Sequence, residues 1–562
     1  MPIGLQFAKA PGSILSQSQA SPAKNSLGSP VGLQVQPGKT LALVGGDVAL
    51  LGGNLTAAGG QIELGSVASN SIVGLNPTEK GWSLRYDGVQ NFQNIQITQR
   101  TVNGVEIQSL VDATGADGAE IQVQGRHIII NGGSQILVTN LKSEPGGNLI
   151  VNASESVELS GSSPDGAFSG LISATSGSGN AGNITVNTKR LLIQDGAGIT
   201  TESSSKEFFG QSTPATGRAG NLTVNASESL ELIDDGSILS TTESFQGGGD
   251  IKINTGRLIV RNESEVSVSS VGEASGNAGN LEVVARSIRL DNQGKLLAET
   301  NSGEGGNITL LSQQVQLRRE SNISTTAGNQ GSPGNGGKIT INTGTLVGLE
   351  NSDITANAFE GKGGTIDLKA RGVFGLLQRN LEDLKTLLRT DDPSKLDPRQ
   401  LFTSDITAVS QTNPSLSGQV IIHTPDVDPS RGLVALPVEP LNITGLIAQN
   451  CPVDGGQETS FIITGRGGLP PNPSDTLSSD TIWTDLRPSQ SAAENLPSAA
   501  VDMQPTNSTP KQLVEAQGWV INHKGEVVLT ASATNVTPHI PWITPASCHS
   551  SFSILTKKGS RE

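Results

Sequence analysis

Short runs of alternating apolar and polar residues recur along the middle of the chain. Ile184 and Val186 enclose a threonine, and Ile339 and Ile341 do the same. Alternation with a period of two predicts strands that bury one side and expose the other. Two further short stretches follow in each unit, with apolar residues at Leu230, Leu232, Ile288, Leu290, Val315 and Leu317, and then at Ile199, Ile238, Val266, Leu296, Ile323 and Ile354.

The alternations belong to a repeated phrase, which reads AGNITVNTK at residues 181–189 and GGKITINTG at residues 336–344. Its second glycine recurs at Gly147, Gly182, Gly220, Gly249, Gly279, Gly306, Gly337 and Gly364. The spacing runs from 27 residues (279 to 306) to 38 residues (182 to 220). A repeat of about 30 residues is typical of a solenoid. Three strands per repeat predict an all-β, three-sided parallel β-helix; a meander of hairpins is the alternative, but hairpins rarely repeat one phrase so often.

The repeats also predict which residues lie inside and which form the corners. The residues expected inside are Ile184, Val186, Leu230, Leu232, Val266, Ile323, Ile339, Ile341 and Ile354. Glycine is expected to supply corners with positive φ, which asparagine also tolerates. Asn183, Asn221, Asn280 and Asn307 share one repeat position and are expected to stack as a structural turn ladder on successive rungs.

A helical pattern interrupts the repeats at residues 372–390. Leu377, Leu381, Leu384 and Leu388 form one helical stripe, and Pro393 follows two aspartates that end it. A coil insertion or end cover is favoured over a partner-binding helix. The phrase SGQVIIHTP at residues 417–425 then predicts one more rung, and QLVEAQGWVINHKGEVVLTAS, from residue 512, predicts a terminal hairpin.

Composition narrows the possible partners. Only 16% of residues are charged and 3% are aromatic, which suits a narrow core of stacked aliphatic residues. The net charge of −15 argues against nucleic acid as a partner. No apolar run approaches the roughly 20 residues of a membrane span. The first residues, MPIGLQF, lack the basic and apolar regions of a signal peptide.

Several long phrases resemble one family. PIGLQF, PGSI and LQVQPGKTLALVGGDVALLGGNLTAAGGQIELGSV, within residues 2–67, resemble the end of the haemagglutination-activity domain of filamentous-haemagglutinin-like exoproteins. GWSLRYDGVQNFQNIQ, TPDVDPSRGLVALP, IAQNCP and FIITGRGGLPPNPSDTLSSDTIW resemble a branch of that family common in cyanobacteria.

The resemblance implies two-partner secretion, in which an outer-membrane secretion barrel exports the chain to the cell surface or the medium. It further implies a right-handed parallel β-helix that serves in adhesion, aggregation or cell-surface contact. The signal peptide and the front of the secretion domain are absent here, so the chain as given is expected not to be exported. It is interpreted as the remainder of a longer exoprotein.

The same features divide the chain. They predict the C-terminal part of the secretion domain (1–85), β-helix repeats (86–370), a helical insertion (371–400), a last rung with a C-terminal cap (401–485), a Pro/Ser/Ala linker (486–511) and a small β end-piece (512–562).

Polysaccharide lyases and hydrolases also use parallel β-helices, so an enzyme is the main alternative function. Such chemistry needs clustered carboxylates, often with Ca²⁺ and a basic residue. The tight pair Asp234–Asp235 is interpreted as an exposed turn, and Asp117, Asp250 and Asp367 are kept as possible weak Ca²⁺ ligands. No catalytic residue, cofactor or metal site is predicted. An enzyme would instead bring several carboxylates and a Lys or Arg together on adjacent rungs.

Two side-chain features remain open. Cys451 and Cys548 suit one disulfide in an exported protein and two free thiols in the cytoplasm. Trp82 and Tyr86 are expected to cover an irregular rung.

Three hypotheses for the function follow from the sequence: a non-enzymatic surface exoprotein, a carbohydrate-active enzyme, or a truncated remnant without independent function.

Overall fold

Apolar residues at every second position drive the chain into short strands whose inner side chains leave water together. The computed structural model describes residues 3–20, 28–115, 118–204, 215–271, 276–328, 332–424, 518–521 and 527–530. The chain divides into two units, Met1–Gly432 and Leu433–Glu562, and each is described by itself.

The strands of the first unit are numbered in chain order. The first half contains β1 (Gly4–Phe7), β2 (Ile14–Ser16), β3 (Leu33–Gln34), β4 (Thr40–Gly45), β5 (Val48–Leu51), β6 (Asn54–Thr56), β7 (Gln61–Ser66), β8 (Ser71–Thr78), β9 (Gly81–Arg85), β10 (Ile95–Thr98), β11 (Arg100–Val102), β12 (Val105–Ile107), β13 (Leu110–Asp112), β14 (Glu120–Asn131), β15 (Gln135–Asn140), β16 (Leu149–Ser160) and β17 (Gly170–Thr175). The second half contains β18 (Ile184–Gln194), β19 (Gly198–Ser203), β20 (Leu222–Ile233), β21 (Ser237–Thr242), β22 (Ile251–Arg261), β23 (Glu265–Ser267), β24 (Leu281–Asp291), β25 (Lys295–Leu297), β26 (Ile308–Leu311), β27 (Gln314–Leu317), β28 (Asn322–Ser324), β29 (Lys338–Gly348), β30 (Asp353–Thr355), β31 (Thr365–Phe374), β32 (Leu376–Arg379), β33 (Ser404–Thr407) and β34 (Gln419–His423).

These strands stack in parallel on three faces. A 16-stranded sheet carries the first and second faces, because long strands such as β16 and β18 bend at their centres and shift register between Asn152 and Ser156. A 13-stranded sheet forms the third face. The predicted parallel β-helix is therefore confirmed and the hairpin alternative is wrong for the repeats; the right-handed coil stays a prediction.

The two later corners of each rung differ in length. The second face passes to the third through a short corner, from Gln194 to Gly198 in one rung and from Ile233 to Ser237 in the next. The connection from the third face back to the first is longer and varies, as between Ser203 and Leu222. Differences in repeat spacing thus fall at this third-to-first corner and, in one earlier rung, at the longer second-to-third connection from Ser160 to Gly170.

The core follows the predicted register. All nine residues expected inside are at most 1% exposed. Val186, for example, pairs with Val151 on one side and Val224 on the other. One apolar column therefore runs through successive rungs, and that part of the prediction is confirmed.

The repeated second glycine is not one of the glycines that supply a corner with positive φ. None of the eight second glycines has a positive φ. A Cβ on Gly306 would instead lie 1.9 Å from the carbonyl oxygen of Gly279, and a Cβ on Gly337 would lie 1.8 Å from that of Gly306. Backbones of successive rungs approach so closely here that only glycine fits.

Positive φ occurs at the second-to-third corner, both in glycines such as Gly132 and Gly196 and in polar residues. Asp234–Asp235, Asn262–Glu263 and Asn292–Gln293 each place two consecutive residues in the left-handed region. Asparagine and aspartate tolerate that conformation because their short side chains bond locally. The expected use of glycine at positive-φ corners, as at Gly132 and Gly196, and the expected tolerance of asparagine there are both confirmed.

The predicted helix is confirmed only in its second half. The helix α1 spans Leu381–Leu388, while β31 continues to Phe374 and Leu377 lies in β32. Strand pairing prevails before residue 380 because β31 pairs with β29 and β32 pairs with β33. Asn380 then starts the helix with a capping box: its Oδ1 accepts from Asp383 N at 2.9 Å, and its own N donates to Asp383 Oδ2 at 2.9 Å.

A small apolar cluster attaches this insertion to the end of the coil. Leu381, Leu384, Leu396 and Val409 are buried together. Two 3₁₀ turns follow the helix, Pro393–Lys395 and Pro398–Gln400. After β33 and a third 3₁₀ turn (Pro414–Leu416), β34 pairs with β31, which confirms the predicted additional rung.

The N-terminal part contains two additions that the sequence did not predict. β1, β8 and β9 form a three-stranded antiparallel sheet, and β11 pairs with β12 as a hairpin. Val67, Val73, Leu84 and Val89 are buried beneath the three-stranded sheet. These additions interrupt rungs whose other strands continue the parallel stack.

The second unit is described at one hairpin. There β35 (Gly518–Ile521) pairs antiparallel with β36 (Val527–Thr530), as predicted for the end-piece. No helix in the described ranges has the length and apolar character needed to span a membrane.

Candidate functional site

Polar side chains on successive rungs form a column along the corner that leads into the first face. Asn183 Oδ1 accepts from Asn221 N at 2.9 Å, and Asn221 Oδ1 accepts from Asp250 N at 2.9 Å. Asp250 Oδ1 accepts from Asn280 Nδ2 at 2.8 Å, and Asn280 Oδ1 accepts from Asn307 Nδ2 at 2.8 Å. We call these residues the corner column. Asp250 therefore stands within the series of asparagines and uses its carboxylate as a hydrogen-bond acceptor.

A second column lies on the first face, at the last asparagine of the repeat phrase. Asn187 Nδ2 donates to Asn152 Oδ1 at 2.7 Å, Asn225 Nδ2 to Asn187 Oδ1 at 2.8 Å, and Asn254 Nδ2 to Asn225 Oδ1 at 3.0 Å. We call it the face column. Sequence reasoning overlooked it, although the recurring final asparagine of the phrase carries the signal.

The other candidate carboxylates lie apart from one another. Asp234 and Asp235 are exposed at their corner, where Asp234 Oδ1 accepts from Asn262 Nδ2 at 2.5 Å. Asp367 Oδ1 lies 3.7 Å from His423 Nε2. In the described ranges, no cluster of three or more His, Cys, Asp or Glu side chains is placed to hold a metal ion. Asp117, Cys451 and Cys548 lie outside the described residues.

The insertion forms a groove against the third face. The cavity has a volume of about 400 Å³. We call it the insertion groove. Its lining residues are Glu299, Asn322, Ser324, Thr326, Gly328, Thr355, Asn357, Phe359, Ser394, Asp397, Pro398, Arg399 and Gln411.

The floor of the groove consists of outward-facing positions on neighbouring rungs. Ile323 points into the core, so Asn322 and Ser324 on either side of it point outward. Although they face outward, Asn322, Ser324 and Thr355 are at least 93% buried, since their exposure is 7%, 1% and 5%. Asn322 Oδ1 is itself buried and has no hydrogen-bond partner among the described residues.

The wall of the groove is built by the second 3₁₀ turn. Asp397 caps this turn by accepting from Arg399 N at 3.1 Å, and Pro398 occupies the first position of the turn. Arg399 Nε and Nη2 bind Asp397 Oδ2 at 3.0 and 2.8 Å. Asn351 Nδ2 donates to Arg399 O at 2.9 Å and ties the turn to the coil.

The insertion groove contains both acidic and basic side chains. Burial raises the pKa of Glu299, while a hydrogen bond from Ser324 Oγ and the charge of Arg399 oppose that rise. The ion pair with Asp397 raises the pKa of Arg399. Glu299 and Asp397 are the acidic residues that line the groove, and Arg399 is the basic one.

A second buried carboxylate lies next to the groove. Burial raises the pKa of Asp353 to about 7, and the neighbouring Asp405 and Asp397 add to the rise. Asp353 Oδ1 accepts from Asp405 N at 2.8 Å, and Asp405 Oδ1 binds Arg379 Nε at 2.9 Å. The structure therefore brings together carboxylates and arginines of adjacent rungs, which sequence reasoning did not identify.

A buried carboxylate also lies in the N-terminal part. Glu63 occupies an outward position of β7, but the β8–β9 hairpin covers it completely. Its Oε1 accepts from Gln61 Nε2 at 2.7 Å and from Leu84 N at 3.2 Å, and its Oε2 has no partner in the part of the chain described. Burial raises the pKa of Glu63 from 4.5 to about 8.

Tyr86 packs on the same strand. A Cβ on Gly65 would lie 2.1 Å from Tyr86 Oη, and the Tyr86 ring centroid lies 6.0 Å from that of Phe92. Burial raises the pKa of Tyr86 above its usual range. Trp82 N donates to Thr40 Oγ1 at 3.2 Å.

The buried Glu63 makes stability depend on pH. Below pH 4.5 it is protonated in both the folded and the unfolded state; as the pH rises towards 8, only the unfolded state ionises, so folding loses stability. We expect a loss of roughly 2 kcal/mol between pH 6 and pH 8 that is absent from Glu63→Gln, since one pKa unit corresponds to about 1.4 kcal/mol. Urea unfolding followed by far-UV circular dichroism at both pH values measures it.

The matched control is Glu79→Gln, because Glu79 is exposed in the turn between β8 and β9. It should keep the pH dependence of the parent protein. An equal loss of stability from pH 6 to pH 8 in Glu63→Gln and in the parent would contradict the assignment of the effect to Glu63.

One family model matches the chain. Residues 1–116 match the model described as the TPS secretion domain, where TPS denotes two-partner secretion. No curated protein and no solved structure matches the chain. The matched region extends beyond the phrases that carry the resemblance and ends after β13. It supports a two-partner secretion exoprotein, a class that is secreted or lies at the cell surface and depends on an outer-membrane transporter.

Proposed function

We propose that this protein is a non-enzymatic exoprotein that acts outside the cell in adhesion, aggregation or cell-surface contact. An outer-membrane transporter of the two-partner class exports its full-length form. The observation that carries the proposal is the match of residues 1–116 to the TPS secretion domain. The matched region is continuous with the repeats, because β7 pairs with β14 and β13 pairs with β15.

The regular stack supports a role in contact. On the first face, outward threonines stand beside each other on successive rungs, as Thr185 does with Thr223 and Thr309 with Thr340. The corner and face columns hold neighbouring rungs in register through side-chain amides. A long surface of repeated polar positions suits many weak contacts with another surface, which together give avidity.

The insertion groove favours a second candidate function, a carbohydrate-active enzyme. Glu299, Asp397 and Arg399 meet there, and a raised pKa suits a general acid. Glycoside hydrolysis ordinarily uses two carboxylates. Asp397 is already held by Arg399 through two nitrogens, which leaves Glu299 as the available one. We therefore favour binding over catalysis. Release of reducing or unsaturated sugar from a polysaccharide panel, lost in Glu299→Gln, would instead establish the enzyme.

Export is the primary test of the proposed function. The full-length form, with a signal peptide and the whole secretion domain, is expressed with a two-partner transporter from the same genome. We expect the protein in the medium or on the outer surface, because the TPS secretion domain is the part that such transporters recognise. Immunoblotting of washed surface and medium fractions measures the yield.

Two controls define the result. The same chain without residues 1–116, also behind the signal peptide, should remain in the periplasm, and omission of the transporter should have the same effect. Equal surface yield with and without residues 1–116 would overturn the assignment of export to this region. Retention of the full chain in the presence of the transporter would contradict the proposed route.

A further inference from the structure

The insertion groove contains an unsatisfied group that points to a ligand. Asn322 lines a cavity of about 400 Å³, and its buried Oδ1 has no hydrogen-bond partner among the described residues. Buried carbonyl oxygens without a partner are rare, because each forfeits the hydrogen bond that water would provide. A donor supplied by a bound molecule would satisfy it.

The lining offers acceptors and donors together. Glu299 and Asn322 present acceptors, Arg399 presents guanidinium donors, and Thr326 and Thr355 present hydroxyls that do either. A hydroxyl group also donates and accepts, so a ligand rich in hydroxyls matches such a set. Arg399 would repel a strongly cationic ligand, and Glu299 and Asp397 would repel a strongly anionic one.

Size and shape restrict the ligand further. A volume of about 400 Å³ lies near the lower end of the range for small-molecule sites. Phe359 supplies the aromatic ring of the lining and offers an apolar face beside the polar floor. A sugar ring has the same division, with hydroxyls around its edge and C–H groups on its faces.

We propose that the insertion groove binds a neutral sugar unit of a glycan, with its hydroxyls bonded to Glu299, Asn322 and Arg399 and one ring face on Phe359. The inference rests on the proposed function in one respect: a protein outside the cell meets glycans on other surfaces. The ligand class itself follows from the groove.

The test uses the purified full chain and fluorescently labelled di- to tetrasaccharides. The panel contains neutral glucose-, galactose- and mannose-based oligosaccharides with matched uronic-acid and amino-sugar forms. We expect at least one neutral member to bind in the micromolar to millimolar range, more tightly than its charged counterparts. Glu299→Gln and Thr326→Val should each weaken this binding, the former about tenfold or more, because the glutamine amide replaces one of the two carboxyl oxygens with a donor.

The chain offers a matched control at Glu202. Glu202, Thr241, Ser269 and Glu299 occupy equivalent positions along the third face, since each follows the same register of paired strands. Glu202→Gln should leave sugar binding unchanged. Thermal unfolding of each variant verifies that the fold is retained.

The result of the sugar-binding test does not depend on the export experiment, because binding is measured on purified protein. Absence of binding by every neutral member up to 10 mM, on the order of the weakest useful affinities, would overturn the proposal. So would tighter binding of the acidic or basic sugars, or equal affinity of the parent, Glu299→Gln and Thr326→Val. Failure of export alone would leave the groove proposal standing.

Discussion

Replacing Gly306 with alanine is expected to destabilise the coil by roughly 3 kcal/mol or more, although alanine adds a single methyl group. That methyl would lie 1.9 Å from the carbonyl oxygen of Gly279 and 3.0 Å from the Cβ of Ala298. Both rungs are fixed by their own hydrogen bonds, including that from Gly306 N to Ala298 O at 2.9 Å. Relief would require separation of the two backbones. Urea unfolding followed by circular dichroism measures the loss.

Gly12→Ala is the matched control. No heavy atom would lie within 4 Å of a Cβ there, and Gly12 is not among the glycines with positive φ. Its effect should stay within about 1 kcal/mol and can be stabilising, because alanine restricts the unfolded chain. A comparable loss in the two variants would mean that close rung approach does not explain the repeated glycine.

Val186→Asp should cost about 4 kcal/mol or more, a larger effect than that of the glycine variant. Val186 is fully buried between Val151 and Val224 in the apolar column. Aspartate is close to valine in size, so the loss reports the burial of an unpaired charge. Protonation of the new carboxyl at low pH should recover part of the stability, because burial raises its pKa.

Thr185→Asp tests the register from the opposite side of the same strand. Thr185 points outward between Ile150 and Thr223, neither of which is charged. We expect a change of about 0.5 kcal/mol or less. Thr340 would serve less well, because it pairs directly with Asp367 and a second aspartate would repel it. Equal losses for Thr185→Asp and Val186→Asp, compared at pH 7, would contradict the assigned register.

The coil could be predicted from the sequence because its signal is local and repeated. Apolar residues equivalent to Ile184 and Val186 recur in each unit, and the alternation along the strand determines which side is buried. The second glycine could be located in the phrase but not explained from it, because its constraint comes from the adjacent rung and not from its own φ. To identify that contact, one must know which residues pair between rungs that lie 27 to 38 residues apart in the sequence.

The insertion and its groove could not be derived in the same way. Leu377 fits the helical stripe of Leu381 and Leu384, yet β32 pairs with β33 and takes Leu377 into a strand. Asn322 and Glu63 look like any outward residue of a strand. Only the segments folded over them, the 3₁₀ turn at Pro398 and the β8–β9 hairpin, remove them from water. Burial by a segment that is distant in the sequence produces no periodic pattern of apolar residues.

The variable third-to-first corner has a consequence for how such chains diverge. The second-to-third corner keeps one length from Gln194–Gly198 to Asp291–Lys295, whereas the connection that follows Ser203 is much longer than the one that follows Leu297. Between Gln194 and Ile308 the length of the rung therefore varies along one edge, while the stacked glycines and aliphatic columns are constrained by contact with the adjacent rungs. Mutation can change the segments on that edge one rung at a time, so recognition properties can evolve there without rebuilding the fold.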